Sequence, residues 1–230
     1  IRDSQNMGYE VVLVSSGAIA VGRNKLNMTS KPDSMRMKQA AAAVGQCSLM
    51  YLYDKFFGDY DKTVAQILLN AEDIEQEEKK ENLINTFNAL LEMGVIPIVN
   101  ENDSVSYKEI ESEDRLFGDN DMLSAVVAVL CRARHLVILS DIDGFYDHDP
   151  RLYPNAKLIE QIDTIDDSVY ALAGGAGSRR GTGGMRTKLQ AAALATSQGT
   201  DTIVTNGKHP EALYDIVKGL HAGTLFPGKI

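Results

Sequence analysis

Several chemistries lack material in this chain. It has only two cysteines, Cys47 and Cys131, and both sit in apolar helical patterns, so they read as buried free thiols of a reducing compartment. The four histidines, His135, His148, His209 and His221, show neither H-x-x-x-H nor H-E-x-x-H spacing, which argues against a zinc site. There is no Gly-x-Ser-x-Gly elbow, and nothing points to a Ser-His-Asp triad. No hydrophobic run reaches transmembrane length and no signal peptide is visible, so the expected location is cytoplasmic. Basic excess is missing too. The net charge of −9 excludes a general nucleic-acid or membrane-surface binder, whose affinity needs a basic footprint. Internal repeats and low-complexity tracts are absent.

What remains is ordinary globular material: 230 residues, 44% hydrophobic and 24% charged, enough for one domain of one or two lobes with a substantial core. Ile1–Gly8 reads as the last turns of a helix closed by Gly8, with a longer protein expected before it. Short apolar runs at 11–14, 63–69, 95–99, 135–139 and 202–205 predict strands buried on both faces. Helical patterns lie between them. One runs from about Ser34 to Phe57, with Met35, Met37, Ala40, Val44, Leu49, Leu52 and Phe56 on its apolar side. Another spans about Glu77–Met93, with Leu83, Phe87, Leu90 and Leu91 inward and Gly94 as C-cap. Further helices are predicted after Asp121, near Asp166–Leu172, at about Thr187–Gln198 and at about Pro210–Leu220, with a closing strand at 223–226. The stretch from Ser104 to Phe117 reads as a loop or small hairpin. Alternation of this kind predicts an α/β fold with a largely parallel sheet, in which ligands gather beyond the carboxyl ends of the strands. The polar clusters Ser15-Ser-Gly17, Asn100-Glu-Asn-Asp103, Ser140-Asp141 and Thr205-Asn-Gly207 each follow a strand and are expected at one edge.

The densest signal is Gly181-Thr-Gly-Gly-Met-Arg-Thr-Lys188, preceded by Gly174-Gly-Ala-Gly-Ser-Arg-Arg180 and followed by a helical pattern. Glycine lets backbone N–H groups approach a ligand, and a helix start favours anions. The loop is neither a Walker A sequence nor a complete G-x-G-x-x-G, so its own residues leave two readings open: a phosphate cradle or a mobile surface loop. Asn100–Asp103 offers two carboxylates and two amides for a cation, such as a substrate ammonium or a metal. Gly118-Asp-Asn-Asp121 opens a helix with more capping residues than one cap needs. Ser140-Asp-Ile-Asp-Gly144 lacks the downstream pattern of a Ca²⁺ loop and reads better as a nucleotide-contacting strand end. No placed histidine base is apparent. Phosphoryl transfer to an alcohol wants such a base, whereas a carboxylic acid of pKa about 4.3 is already ionised at neutral pH.

Taken together, Val14-Ser-Ser-Gly-Ala-Ile-Ala20, Ala43-Val-Gly-Gln46, Asn100–Asp103, Gly118–Asp121, Ser140-Asp141 and the run from Gly181 to Ala192 resemble the glutamate 5-kinases (γ-glutamyl kinases) of the amino acid kinase family, over nearly the whole chain and in the family's order. The resemblance implies a three-layer sandwich with a largely parallel central sheet. It also implies ATP- and Mg²⁺-dependent phosphorylation of the L-glutamate side-chain carboxylate, the first step of proline biosynthesis. Residue by residue, Ser16, Asp103 and Asn120 fall where the family binds glutamate. Ser140 and Asp141 fall where it binds nucleotide, and Thr182, Gly183, Gly184, Met185, Arg186, Thr187 and Lys188 match its ATP loop. Lys188 would stabilise the transferring phosphoryl group and Asp121 would orient the catalytic lysines. The family's first strand, with a catalytic Lys in a Lys-x-Gly-Thr/Ser context, is expected before Ile1. Residues 1–230 read as one kinase domain without the C-terminal PUA domain of many members. Residues 106–117 look longer than usual. A homo-oligomer and feedback inhibition by proline are further expectations. Rival readings are an N-acetylglutamate kinase, a uridylate kinase, or a non-catalytic amino-acid sensor. The acidic stretch from Asn100 to Asp121 suits the first two less well.

Overall fold

A computed structural model describes residues 1–105, 120–173 and 184–229. The chain divides into two compact units, Ile1–Asn120 and Asp121–Ile230.

The first unit runs α1 (Arg2–Asn6), β1 (Leu13–Val14), α2 (Ala18–Lys25), α3 (Met35–Gly58), β2 (Val64–Leu69), α4 (Ala71–Glu75), α5 (Glu77–Glu92) and β3 (Ile96–Glu101). Gly8, at φ 90°, turns the chain after α1, and Gly94, at φ 71°, does so after α5. Both need the left-handed region that glycine enters freely. The three strands form one parallel sheet in the order β1-β3-β2. β3 is central and buried from Ile96 through Asn100, as a continuous apolar run demands of a strand covered on both faces. Phe87 of α5, fully buried, belongs to the same core as Ile96, Ile98 and Val99.

α3 departs from expectation. Its buried residues are Ala41, Ala42, Gly45 and Gln46, whereas Met37, Leu52 and Phe56 are exposed, Phe56 by 59%. Small residues win the inner face because α2 crosses it at backbone contact. A Cβ on Gly45 would collide with the Ala18 carbonyl, and one on Gly22 with the Ala41 carbonyl. Larger side chains are excluded there and turn outward. Cys47 lies on the outward side and is exposed, and Cys131, just past the end of α6 (Asn120–Leu130), is half-buried. Neither is the buried thiol that the apolar patterns predict.

The second unit follows with that helix, then β4 (His135–Ser140), β5 (Phe145–Tyr146), β6 (Leu158–Ile159), α7 (Asp167–Ala173), α8 (Met185–Ser197), β7 (Asp201–Asn206), α9 (Ala212–Val217) and β8 (Thr224–Phe226). β4 and β7 pair in parallel, β8 closes the sheet antiparallel to β7, and β5 and β6 form a separate hairpin. Leu123, Val126, Val127 and Leu130 of α6 are all buried. Leu189, Ala192 and Ala195 of α8 join Leu136, Ile138, Val204, Phe145 and Phe226 in one core, where the Phe145 and Phe226 rings meet edge to face. The buried Thr224 hydroxyl is satisfied on both sides. It accepts from the Phe145 N–H at 2.7 Å and donates to the Ile159 carbonyl at 2.6 Å, tying the hairpin to the sheet. No helix among the described residues is long and apolar enough to cross a membrane.

The α2–α3 crossing gives a direct test. Gly45→Ala forces a methyl into a backbone carbonyl and should lower the unfolding free energy by ~2 kcal/mol or more, the scale of an overpacked core. Gly58→Ala, where nothing lies within 4 Å of the added carbon, should be neutral or mildly stabilising. Urea unfolding of both variants checks this, and equal midpoints would remove the close crossing.

Candidate functional site

In the first unit, the ends of β1 and β3 are adjacent because the strands are parallel neighbours. The Ser15 N–H continues the ladder, donating to Val99 O at 2.8 Å. Gly17, at φ 91°, then starts α2, which leaves Ser16 exposed at the tip. The Ser15 hydroxyl shares a 2.9 Å hydrogen bond with the Tyr53 hydroxyl of α3, and Ser15 O accepts from Asn120 Nδ2 at 2.6 Å. At the end of β3, Asn100 Nδ2 donates to Gln46 Oε1 at 3.0 Å, and Asn100 Oδ1 accepts the Glu101 N–H at 2.9 Å. The chain then turns tightly. Asn102 N–H donates to Leu69 O, Val105 N–H donates to Asn102 O, and the Ser104 hydroxyl donates to Asn102 Oδ1. Asp103, half-buried, sits inside this turn. Ser16, Asp103 and Asn120 thus belong to one unit, with Asn120 bonded to the residue preceding Ser16.

In the second unit, Lys188 Nζ donates to Asp121 Oδ2 at 2.9 Å, and the Thr187 hydroxyl donates to the same oxygen at 2.9 Å. Both side chains of the ion pair are only 12% exposed. Asp121 stands in the first turn of α6, where a carboxylate suits the helix dipole. α8 begins at Met185 with Gly184 as a cap lacking any side-chain hydrogen bond, and its first turn holds no acid. Arg186 lies over the Tyr170 ring of α7, 5.8 Å from its centre. An uncapped helix start bearing cations is an arrangement that receives an anion such as a phosphate.

The carboxyl ends of β4 and β7 lie side by side, with Ser140 opposite Asn206 and the Gly207 N–H donating to Ser140 O at 2.8 Å. The Ser140 hydroxyl reaches Asp141 Oδ1 at 3.3 Å. Asp143 accepts from Asn206 Nδ2 at 2.7 Å and from the Tyr146 hydroxyl at 2.9 Å. These two bonds hold its carboxyl below the usual range, Asn206 most strongly, while burial first and the same bond second push the Tyr146 hydroxyl up. The polar clusters therefore meet in pairs, Ser15–Gly17 with Asn100–Asp103 and Ser140–Asp141 with Asn206–Gly207. Thr182 and Gly183, with Gly118 and Asp119 and the cluster at 174–180, lie outside the described residues. Asp143 stands in the Ser140–Gly144 stretch read from sequence as a strand end, whereas Tyr53 and Tyr146 went unread.

No group of three or more His, Cys, Asp or Glu among the described residues could hold a metal ion. Mg²⁺ carried by a nucleotide's phosphates keeps most of its waters and takes only one or two carboxylates, so it does not need such a group.

The amino acid kinase family profile matches residues 1–206. The chain is 56% identical over 229 residues to glutamate 5-kinase of Clostridium perfringens, covering 100% of this chain and 85% of the relative. It is 48% identical to glutamate 5-kinase of Listeria innocua, covering 100% of this chain and 83% of that one. Among solved structures it resembles carbamate kinase from Giardia lamblia bound to AMP-PNP, with TM-score 0.62 and 18% identity over 99% of this chain and 86% of that one. It also resembles UMP kinase from Bacillus anthracis, with TM-score 0.60 and 15% identity over 100% and 83%. These last two likenesses concern the fold alone, which in this chain is α/β with parallel-rich sheets.

The Asn206–Asp143 bond predicts a titration. Because the folded carboxyl is depressed, the stability it contributes is complete above the unfolded value and is lost as pH falls through the folded one. Asn206→Ala should therefore raise the Asp143 midpoint toward 3.8, read by carboxyl-carbon NMR, and its stability deficit should close in acid. An unmoved midpoint would mean that Asn206 does not set it.

Proposed function

The chain belongs to the amino acid kinase family, and we propose that it transfers the γ-phosphoryl group of ATP to the side-chain carboxylate of L-glutamate, giving γ-glutamyl 5-phosphate for proline biosynthesis. The observation that carries this reading is the full-length identity to glutamate 5-kinases, joined to a kinase-like pairing of Lys188 with Asp121. In the reaction a carboxylate oxygen bonds to the γ-phosphorus as the bond from that phosphorus to the bridging oxygen of ADP breaks. No proton need be removed, which agrees with the lack of a placed histidine base. The obstacle is charge, since an anion must approach an anion.

Each named residue has a part in meeting it. Lys188 supplies a cation for charge on the transferring group, and Asp121 keeps that ammonium from swinging away. Preorganised charge of this kind acts without rearrangement at the moment of reaction. Gly184, Met185, Arg186 and Thr187 would receive the nucleotide phosphates at the start of α8, with Thr182 and Gly183 from the preceding loop, and Ser140 and Asp141 would contact the nucleotide. Mg²⁺, when bound with ATP, would screen the phosphate charge. Asp103 would bind the substrate ammonium, with Ser16 and Asn120 holding the rest of the amino acid. Proline inhibition on the glutamate side, a homo-oligomeric state and a cytoplasmic location belong to the same proposal and rest on the family resemblance.

Hydroxylamine trapping with Mg-ATP tests the reaction. A hydroxamate should form with glutamate and not with N-acetylglutamate or aspartate, and a hydroxamate from N-acetylglutamate instead would reassign the substrate. Lys188→Ala should cut turnover by ~100-fold or more, the usual scale for one electrostatic stabiliser. Asp103→Asn should raise KM for glutamate more than KM for ATP, and equal weakening of both would contradict an ammonium contact.

A further inference from the structure

α3 meets the ends of both strands at the glutamate side, and it does so with two polar residues on one face. Gln46 and Tyr53 are seven residues apart, two turns of helix, so they project in nearly the same direction. Gln46 Oε1 accepts from Asn100 Nδ2 at the end of β3, and the Tyr53 hydroxyl bonds the Ser15 hydroxyl just past the end of β1. Gln46, Asn100 and Ser15 are all buried. Polar groups removed from water are retained where their partners are matched, and unpaired they are costly. These two bonds are therefore specific fixings and not chance surface contacts.

Their effect is geometric. The Asn100 amide is committed on both sides, to Gln46 through nitrogen and to the Glu101 N–H through oxygen. That sets the peptide direction at which β3 gives way to the turn holding Asp103. The Ser15 hydroxyl is committed to Tyr53 while its carbonyl takes the Asn120 amide, which sets the direction of Ser16. One helix face thus fixes where Ser16, Asp103 and Asn120 stand relative to one another within the first unit. α3 is in turn held rigidly by the close Gly22–Gly45 crossing with α2.

We propose that Gln46 and Tyr53 are positioning residues for glutamate, acting through Asn100 and Ser15 without touching the substrate. The inference rests on the glutamate-kinase reading above. It separates α3's role from the nucleotide side, since neither bond reaches the second unit.

The test is steady-state kinetics on Gln46→Leu, Gln46→Glu and Tyr53→Phe. Gln46→Leu keeps the volume and removes the acceptor. Tyr53→Phe removes a single hydroxyl. Each should raise KM for glutamate about three- to tenfold, the worth of one hydrogen bond, with KM for ATP within about twofold of the parent. Gln46→Glu retains an acceptor for Asn100 Nδ2 and should return KM for glutamate toward the parent value. A purely structural role would instead weaken both substrates together and show no rescue by Gln46→Glu, which overturns the proposal, as do parent-like KM values in a folded Gln46→Leu. Should Gln46→Leu fail to fold, Tyr53→Phe gives the same readout through the other bond. Failure of the unsubstituted protein to form a hydroxamate from glutamate overturns the functional reading, and this inference with it. Activity in the parent with both substrates weakened equally in the variants overturns this inference alone.

Discussion

A single carboxylate oxygen, Oδ2 of Asp121, holds the second unit's chemistry together. It takes the Lys188 ammonium and the Thr187 hydroxyl at once, and so fastens the first turn of α8 to the first turn of α6. Without it the α8 start would carry Arg186 and Lys188 against a helix dipole of the same sign. With it, Lys188 is held among few waters at low cost, since a largely buried charge that loses its partner costs about 3–5 kcal/mol. The same carboxylate sits favourably at the positive end of α6. One carboxylate thus joins the first turns of two helices and pairs one largely buried cation, while α8 begins at Gly184 without a side-chain cap.

The strand positions were legible, although of the four six-residue strands only β3 and β7 are buried along most of their length, while β2 leaves Gln66 exposed and β4 leaves Leu139 exposed. β2, β3, β4 and β7 fall within a residue or two of the apolar runs that predict them, because a β-branched run between turn residues has few other uses. α6 was legible for a similar reason, with its inward residues all apolar and all buried. α3 was not. Its apolar side chains outnumber its inner positions, and the deciding fact is a partner helix whose glycine permits backbone contact. Gly22 and Gly45 are separated by a loop and carry no side chain to reveal the match. α2 went unread too, being only eight residues long and following directly on a small-residue turn.

The site was legible in its charged and glycine-rich parts and dim in its supports. Asn100–Asp103, Ser140–Asp141 and the run ending at Lys188 stand out by composition. Tyr53 and Tyr146 do not, because Tyr53 takes its meaning from one bond to Ser15, far off in sequence, and Tyr146 from one bond to Asp143 three residues before it. A polar side chain on the buried face of a helix is the signal such residues leave, and it becomes readable only once the buried face is known.

The order of strands in the first sheet has a consequence for synthesis. β3 lies between β1 and β2, yet it is the last of the three to be made. Leu13 and Val14 find Ile98 and Val99 only after α2, α3, β2, α4 and α5 have all emerged. At translation rates of ~5–20 residues per second, the pairings of β1 and β2 with β3 wait several seconds for it to emerge. Parallel pairing with long crossovers closes late by nature. The α2–α3 pair, by contrast, packs through contacts between neighbouring elements and can form over that interval without anything that comes later.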